Sequence, residues 1–142
     1  MNQRLLGVLG AVVVAAFAAG EAQAAGNLAS VPTMLELKVD TVNLAFSQTK
    51  FELETGKYYK LTVSSDGFEE VDLMAPDLWE NSWINQVEID DIDVFVSAPF
   101  HIGFGSDEGE ADIFFVPLRP GNYQFYADGF EERGLSATFE VR

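Results

Sequence analysis

The chain has no cysteine, a single histidine (His101), and only eight lysines and arginines against 23 aspartates and glutamates. Without thiols it can form no disulfide, offer no thiolate nucleophile and carry no lipid on cysteine. A soft metal ion held by sulfur and imidazole lacks its ligands for the same reason. The formal net charge of -15 sets the surface against nucleic acid and anionic membranes, and favours cations or a basic protein patch. Catalytic signatures are missing as well: no G-x-S-x-G, phosphate-binding loop, H-E-x-x-H or dinucleotide-type glycine pattern occurs. The glycines of FGSDEGE, residues 104–110, sit among carboxylates that repel phosphate. A carboxylate pair could act as general acid and base, but the many carboxylates single out no pair. The chain reads as a non-enzyme.

One long apolar run is present, at the N-terminus. Arg4, then LLGVLGAVVVAAFAA, then Ala22-Gln23-Ala24 follow the pattern of a secretory signal. Residues 1–24 are therefore expected to be removed on export to the periplasm, leaving no stable membrane insertion. Arg4 and Glu21 leave together and cancel, so the mature chain keeps its acidity. Residues 25–33, small and polar without periodicity, read as a flexible lead-in. Residues 34–142 read as one domain, large enough to bury a two-layer core without disulfides. Eleven of the twelve Phe, both Trp and all four Tyr fall within it and make that core aromatic.

From Met34 onward the pattern is that of strands. Leu35, Leu37 and Val39 alternate with Glu36, Lys38 and Asp40, the mark of a half-buried strand. Thr41–Phe46 and Lys50–Leu53 continue it. A turn at residues 54–57 leads into Tyr58–Ser64, rich in Tyr, Leu and Val and closed by Ser65-Asp66-Gly67. Alternation breaks over residues 68–85, where Ala75-Pro76-Asp77 ahead of LWENSWIN predicts a short helix. On such a helix Trp79 and Trp83, four apart, share one face. Alternation returns in residues 86–96, at His101–Gly105, at Ala111–Val116 after an acidic turn, and at Asn122–Ala127 after Arg119-Pro120-Gly121. A last strand follows. The sum is an all-β domain of about eight short strands at sandwich or barrel spacing, with one helical insertion.

Two segments, GKYYKLTVSSDG (56–67) and VPLRPGNYQFY (116–126), together with EEVDLMAP (69–76), resemble the periplasmic cupredoxins over residues 42–142. The resemblance implies a Greek-key β-sandwich. In that family the strand corresponding to 122–127 ends in a copper-ligating Cys, with a His three residues on, a Met five beyond that, and a second His upstream between E-E and A-P. Those places hold Ala127, Phe130, Leu135 and Val71 here. Copper as a type 1 centre is thereby excluded, and the former metal cavity is expected to be an apolar plug, because unpaired polar groups there would be costly to bury. The resemblance also places the helical insertion beside the metal end. A partner face of Trp79, Trp83, Phe130 and Leu135 is therefore expected there, converging with Val71. What it implies for function is a periplasmic accessory or interaction module linked to copper or iron handling. The expected partner is a periplasmic protein with a basic patch, or a metal-transport component.

The alternative is a carboxylate-based protein that buffers or delivers iron or copper. Oxygen-rich clusters suit hard cations, and the candidates are Glu69, Glu70 and Asp72; Asp90, Asp91 and Asp93; and Asp107, Glu108 and Glu110, with His101 as an added ligand. None has calcium-loop spacing. Solvated turns and solubility of an exported protein are the plain reading of these runs, and no cofactor is assigned.

Overall fold

The computed structural model describes residues 30–89, 92–94 and 101–142, with 92–94 described as backbone only. The expected signal at 1–24, residues 25–29 of the expected lead-in, Asp90, Asp91 and the Asp93 side chain lie outside the described residues. Eleven strands and one short helix are described: β1 (Thr33–Asp40), β2 (Ala45–Phe46), β3 (Lys50–Leu53), β4 (Tyr59–Ser65), β5 (Val71–Met74), α1 (Pro76–Glu80), β6 (Ser82–Ile89), β7 (Ile92–Val94), β8 (His101–Phe104), β9 (Gly109–Pro117), β10 (Gly121–Ala127) and β11 (Ser136–Val141). A single 3-10 turn, Glu131–Arg133, lies in the loop between the last two strands.

These strands form two sheets, in the orders β2-β1-β4-β9-β6-β7 and β3-β11-β10-β5-β8. Strand β1 lies parallel to β4, with Leu35 opposite Leu61 and Leu37 opposite Val63. Strand β3 lies parallel to β11, with Phe51 opposite Phe139. The chain crosses between sheets to make both pairs, which gives the Greek-key character expected from the sequence.

Period-two alternation explains the core. Leu37, Leu61, Val63, Ile113 and Phe115 point inward from the first sheet, and Phe51, Leu73, Phe125 and Phe139 from the second; all belong to one buried cluster. Aromatic contacts join the layers. Trp79 of α1 stands edge-on to Phe115 at 5.5 Å and to Phe125 at 6.4 Å, the geometry favoured by ring quadrupoles.

The extra strands relative to the sequence expectation are short. Strands β2, β5 and β7 have two, four and three residues, too few to show a period. A second difference concerns Trp83, which was expected on a helix. The helix stops at Glu80 because Asn81 caps it: its N–H donates to the Leu78 carbonyl and its Nδ2 to the Asp77 carbonyl. The Asn81 carbonyl accepts from the Leu118 N–H at 2.8 Å, and the following residues enter the sheet with Ser82 opposite Pro117 and Trp83 opposite Val116. Cross-strand pairing therefore overrides helical spacing, and the two tryptophans part.

Candidate functional site

The end of the sandwich that holds Val71, Ala127 and Leu135 is the place to look for a site. Strand β5 delivers Val71, strand β10 ends at Ala127, and the return of the chain into β11 delivers Leu135. Backbone hydrogen bonds knit the three together. The Ala127 N–H donates to the Leu135 carbonyl (3.0 Å), the Asp128 N–H to the Asp72 carbonyl (2.9 Å) and the Phe130 N–H to the Ala127 carbonyl (2.9 Å). Val71, Ala127 and Leu135 are 3%, 0% and 0% exposed and join the core cluster, while Phe130 is half-buried against it. The interior here is apolar and packed.

The outside of the same end is acidic. Four carboxylates lie between Asp66 and Asp72, three between Asp107 and Glu110, and three between Asp128 and Glu132, against one cation, Arg133. The loops that carry them touch. Gly67 has a left-handed φ of +68°, and a Cβ there would stand 2.2 Å from the Asp107 carbonyl carbon, so only glycine allows the 66–68 turn to lie on the 105–108 turn. A recess of about 440 Å³ between the loops is lined by Glu70, Asp72, Asp128 and Phe130 among others. A second, more open groove of about 820 Å³ is lined in part by Asp40, Asp66, Glu108, Glu110 and Lys38.

Ion pairing does not reach these loops. Among the described residues the ion pairs draw on Lys50, Lys57, Lys60 and Arg142, and none involves a carboxylate of the three loops. Arg133 instead lies over the Phe130 ring, 5.1 Å from its centroid. One loop carboxylate has an internal structural role. Asp66 accepts hydrogen bonds from the Thr41 hydroxyl, the Thr41 N–H and the Phe68 N–H, and these, the Thr41 hydroxyl first, hold its carboxyl below the usual range.

The predicted site residues fare unequally. Val71, Ala127, Phe130 and Leu135 are brought together. Trp79 is only 3% exposed, so it serves the core and not a partner face, and Leu135 is sealed beneath the loops. Trp83 is 39% exposed but faces outward from the first sheet, toward the opposite end. Glu69, Glu70 and Asp72 are exposed, and His101 is exposed in β8 opposite Met74. Among the described residues no group of three His, Asp or Glu side chains is placed to hold a metal ion. Sequence reasoning missed Phe68, 67% exposed between Gly67 and Glu69; an aromatic inside an acidic turn was the available signal.

No family model matches the chain, and neither does any curated protein. Solved structures do resemble it. A copper nitrite reductase of Nitrosomonas europaea is similar with a TM-score of 0.62 at 10% identity, over 87% of this chain and 52% of that one. A multicopper oxidase of Campylobacter jejuni gives 0.56 at 9% identity, over 79% of this chain and 30% of that one. An auracyanin of Roseiflexus castenholzii gives 0.50 at 17% identity, over 80% of this chain and 99% of that one. The chain thus spans a third to a half of the oxidase and reductase chains and nearly all of the auracyanin. At these identities the likeness is one of fold alone, a cupredoxin-like β-sandwich. Within that fold this chain has no cysteine, so a thiolate-bound type 1 copper centre is excluded by its own composition.

Proposed function

We propose that the protein is an exported, periplasmic, non-catalytic module that docks a basic protein onto its acidic loop end, as an accessory in metal handling. The observation that carries this reading is the contrast within one end of the sandwich. Val71, Ala127 and Leu135, at the positions where the resemblance puts copper ligands, are buried, while the carboxylates above them have no ion-pair partner among the described residues. A field of one sign with an exposed aromatic in its midst supports electrostatic steering toward a cationic surface, with Phe68 as the apolar anchor. The signal pattern of residues 1–24 supports export. The role in metal handling rests on the resemblance of the fold.

The test begins with protein recovered from its own periplasm, its N-terminus sequenced, and its metal content read by native mass spectrometry with elemental analysis. Mature protein starting near Ala25 and free of stoichiometric metal is expected. A bound protein should be released by raising salt, and the set Glu69→Gln, Glu70→Gln, Glu108→Gln should weaken its retention at least about tenfold, through loss of steering and contact charge. A stoichiometric metal ion, or a partner indifferent to both salt and the charge variants, would overturn the proposal.

A further inference from the structure

The outer face of the first sheet, at the end away from the acidic loops, carries a second apolar layer. Leu118, Val116 and Phe114 lie at alternate positions at and just beyond the end of β9 and point away from the core. Trp83 stands opposite Val116, and Met34 shares a row with Lys60 and Phe114. Val116 is 4% and Tyr58 9% exposed, yet neither belongs to the core cluster. They are covered by their neighbours on the face: the Tyr58 and Phe114 rings are 6.3 Å apart, and the Asn85 Nδ2 donates to the Tyr58 hydroxyl at 2.8 Å. Around this patch Met34, Leu118 and Trp83 remain 56%, 56% and 39% exposed. A clustered apolar surface on a chain of charge -15 is the mark of an interface.

Its charges say what fits. One end of the face carries Arg119, bonded to Asn81 Oδ1 at 3.5 Å. The other end carries the row Glu36, Thr62, Asp112 and Glu88, and beyond it the row Lys38, Ser64 and Glu110, about 20 Å further along the strands and net acidic. Between them the Lys60 ammonium is paired with Asp112 at 2.6 Å. The face is therefore cationic at one end, net acidic at the other and apolar in the middle, which is self-complementary under a two-fold axis lying in the plane of the face and running across the strands.

We infer that the outer face of the first sheet, centred on Trp83, Phe114 and Leu118, is the interface of a two-fold homodimer. The two copies pack sheet on sheet with strands running in opposite directions. Arg119 of each copy meets the Glu36 and Glu88 row of its partner, and the apolar stripes meet in the middle. The same antiparallel arrangement points the two acidic loop ends away from each other, so like charges stay apart. It also leaves both loop ends open, so the dimer and the docking of a basic partner are separate events.

Sedimentation of the purified mature protein at physiological salt, over the micromolar to millimolar range, tests the inference. A monomer–dimer equilibrium is expected, with Trp83 fluorescence shifting to the blue as dimer forms while buried Trp79 contributes a constant background. Trp83→Glu and, independently, Leu118→Glu in the exposed turn should each weaken dimerisation roughly tenfold or more, with circular dichroism melts reporting that each variant still folds. Phe68→Ser at the loop end should leave the dimer unchanged. A protein that stays monomeric throughout, a dimer insensitive to both Trp83→Glu and Leu118→Glu, or a dimer lost with Phe68→Ser, each overturns it.

Discussion

At the loop end of the sandwich, Val71, Ala127 and Leu135 are sealed inside and, Phe68 and Arg133 apart, carboxylates with no ion-pair partner among the described residues cover the outside. At the opposite end the arrangement is different: Trp83, Met34 and Leu118 are exposed, while Lys57 pairs with Glu54 at 3.1 Å. Both ends belong to one rigid pair of sheets with a continuous core, so the difference is not one of folding but of what each end presents to other molecules. One end offers an unbalanced field that draws a cationic surface from a distance. The other offers apolar area and balanced charge, which act only on contact. A chain of charge -15 that kept all its exposed apolar groups, as it keeps Phe68, among unpaired carboxylates could hardly associate with itself. Separating the two permits it.

The largest effect should come from reversing the interior of the loop end. Val71→His, Ala127→Cys, Phe130→His and Leu135→Met together restore the ligand types that the resemblance assigns to these positions. In metal-free form the variant should lose about 4 kcal/mol or more, because polar groups and added volume enter a packed site. Copper(II) should then bind, stabilise the variant and produce the intense visible absorption of a copper–thiolate bond. Failure to bind copper, in a variant that still folds, would show that the four side chains do not converge as the positions imply.

The contact between the acidic loops is next. Gly67→Ala places a Cβ against the Asp107 backbone and forces a left-handed residue to carry a side chain. About 2–4 kcal/mol of stability should be lost in urea titrations, and retention of a basic partner should fall with it. Dimerisation through Trp83 and Leu118 should survive in the fraction that folds. Loss of both together would mean that the two ends are not independent.

Much of this architecture is legible in the residues themselves. Tyr59–Ser65 and Gly121–Ala127 alternate strictly and become central strands, and Val71, Ala127 and Leu135, apolar in the sequence, are buried. The rest depends on partners distant in sequence. Trp83 has helical spacing from Trp79, and only the pairing of Ser82 with Pro117 and Trp83 with Val116 assigns it to a sheet. The apolar outer stripe of β9 is hidden for a related reason. Residues 111–117 are nearly all apolar, so their period does not reveal that Phe114 and Val116 face away from the core until β4 and β6 flank them.

A smaller effect should follow from Thr41→Val, which keeps shape but removes the hydroxyl that donates to Asp66 and accepts from the Glu69 N–H. The cost should be about 1–2 kcal/mol at neutral pH, read by denaturant midpoint. Asp66 titrates lower in the folded chain than in the unfolded one. Its contribution is therefore present above the ordinary carboxylate range and disappears as pH falls through and below it. The gap between wild type and Thr41→Val should close on acidification, and a constant gap down to strongly acid pH would detach Asp66 from the effect.

The smallest changes should have opposite signs in the two charge environments. Glu108 sits among other carboxylates with no ion pair among the described residues, so Glu108→Gln removes repulsion and should raise stability by up to about 0.5 kcal/mol. Lys50 bonds both Glu140 and Glu52, at 2.8 and 3.0 Å, and the Glu140 hydrogen bond is the main cause that lifts its pKa above the usual lysine range; Lys50→Met should lower stability. Added salt should shrink both differences, since each is a screened surface interaction. If Glu108→Gln proved destabilising at low salt, the loop carboxylates would have favourable partners and the field attributed to that end would be weaker than its count of charges implies.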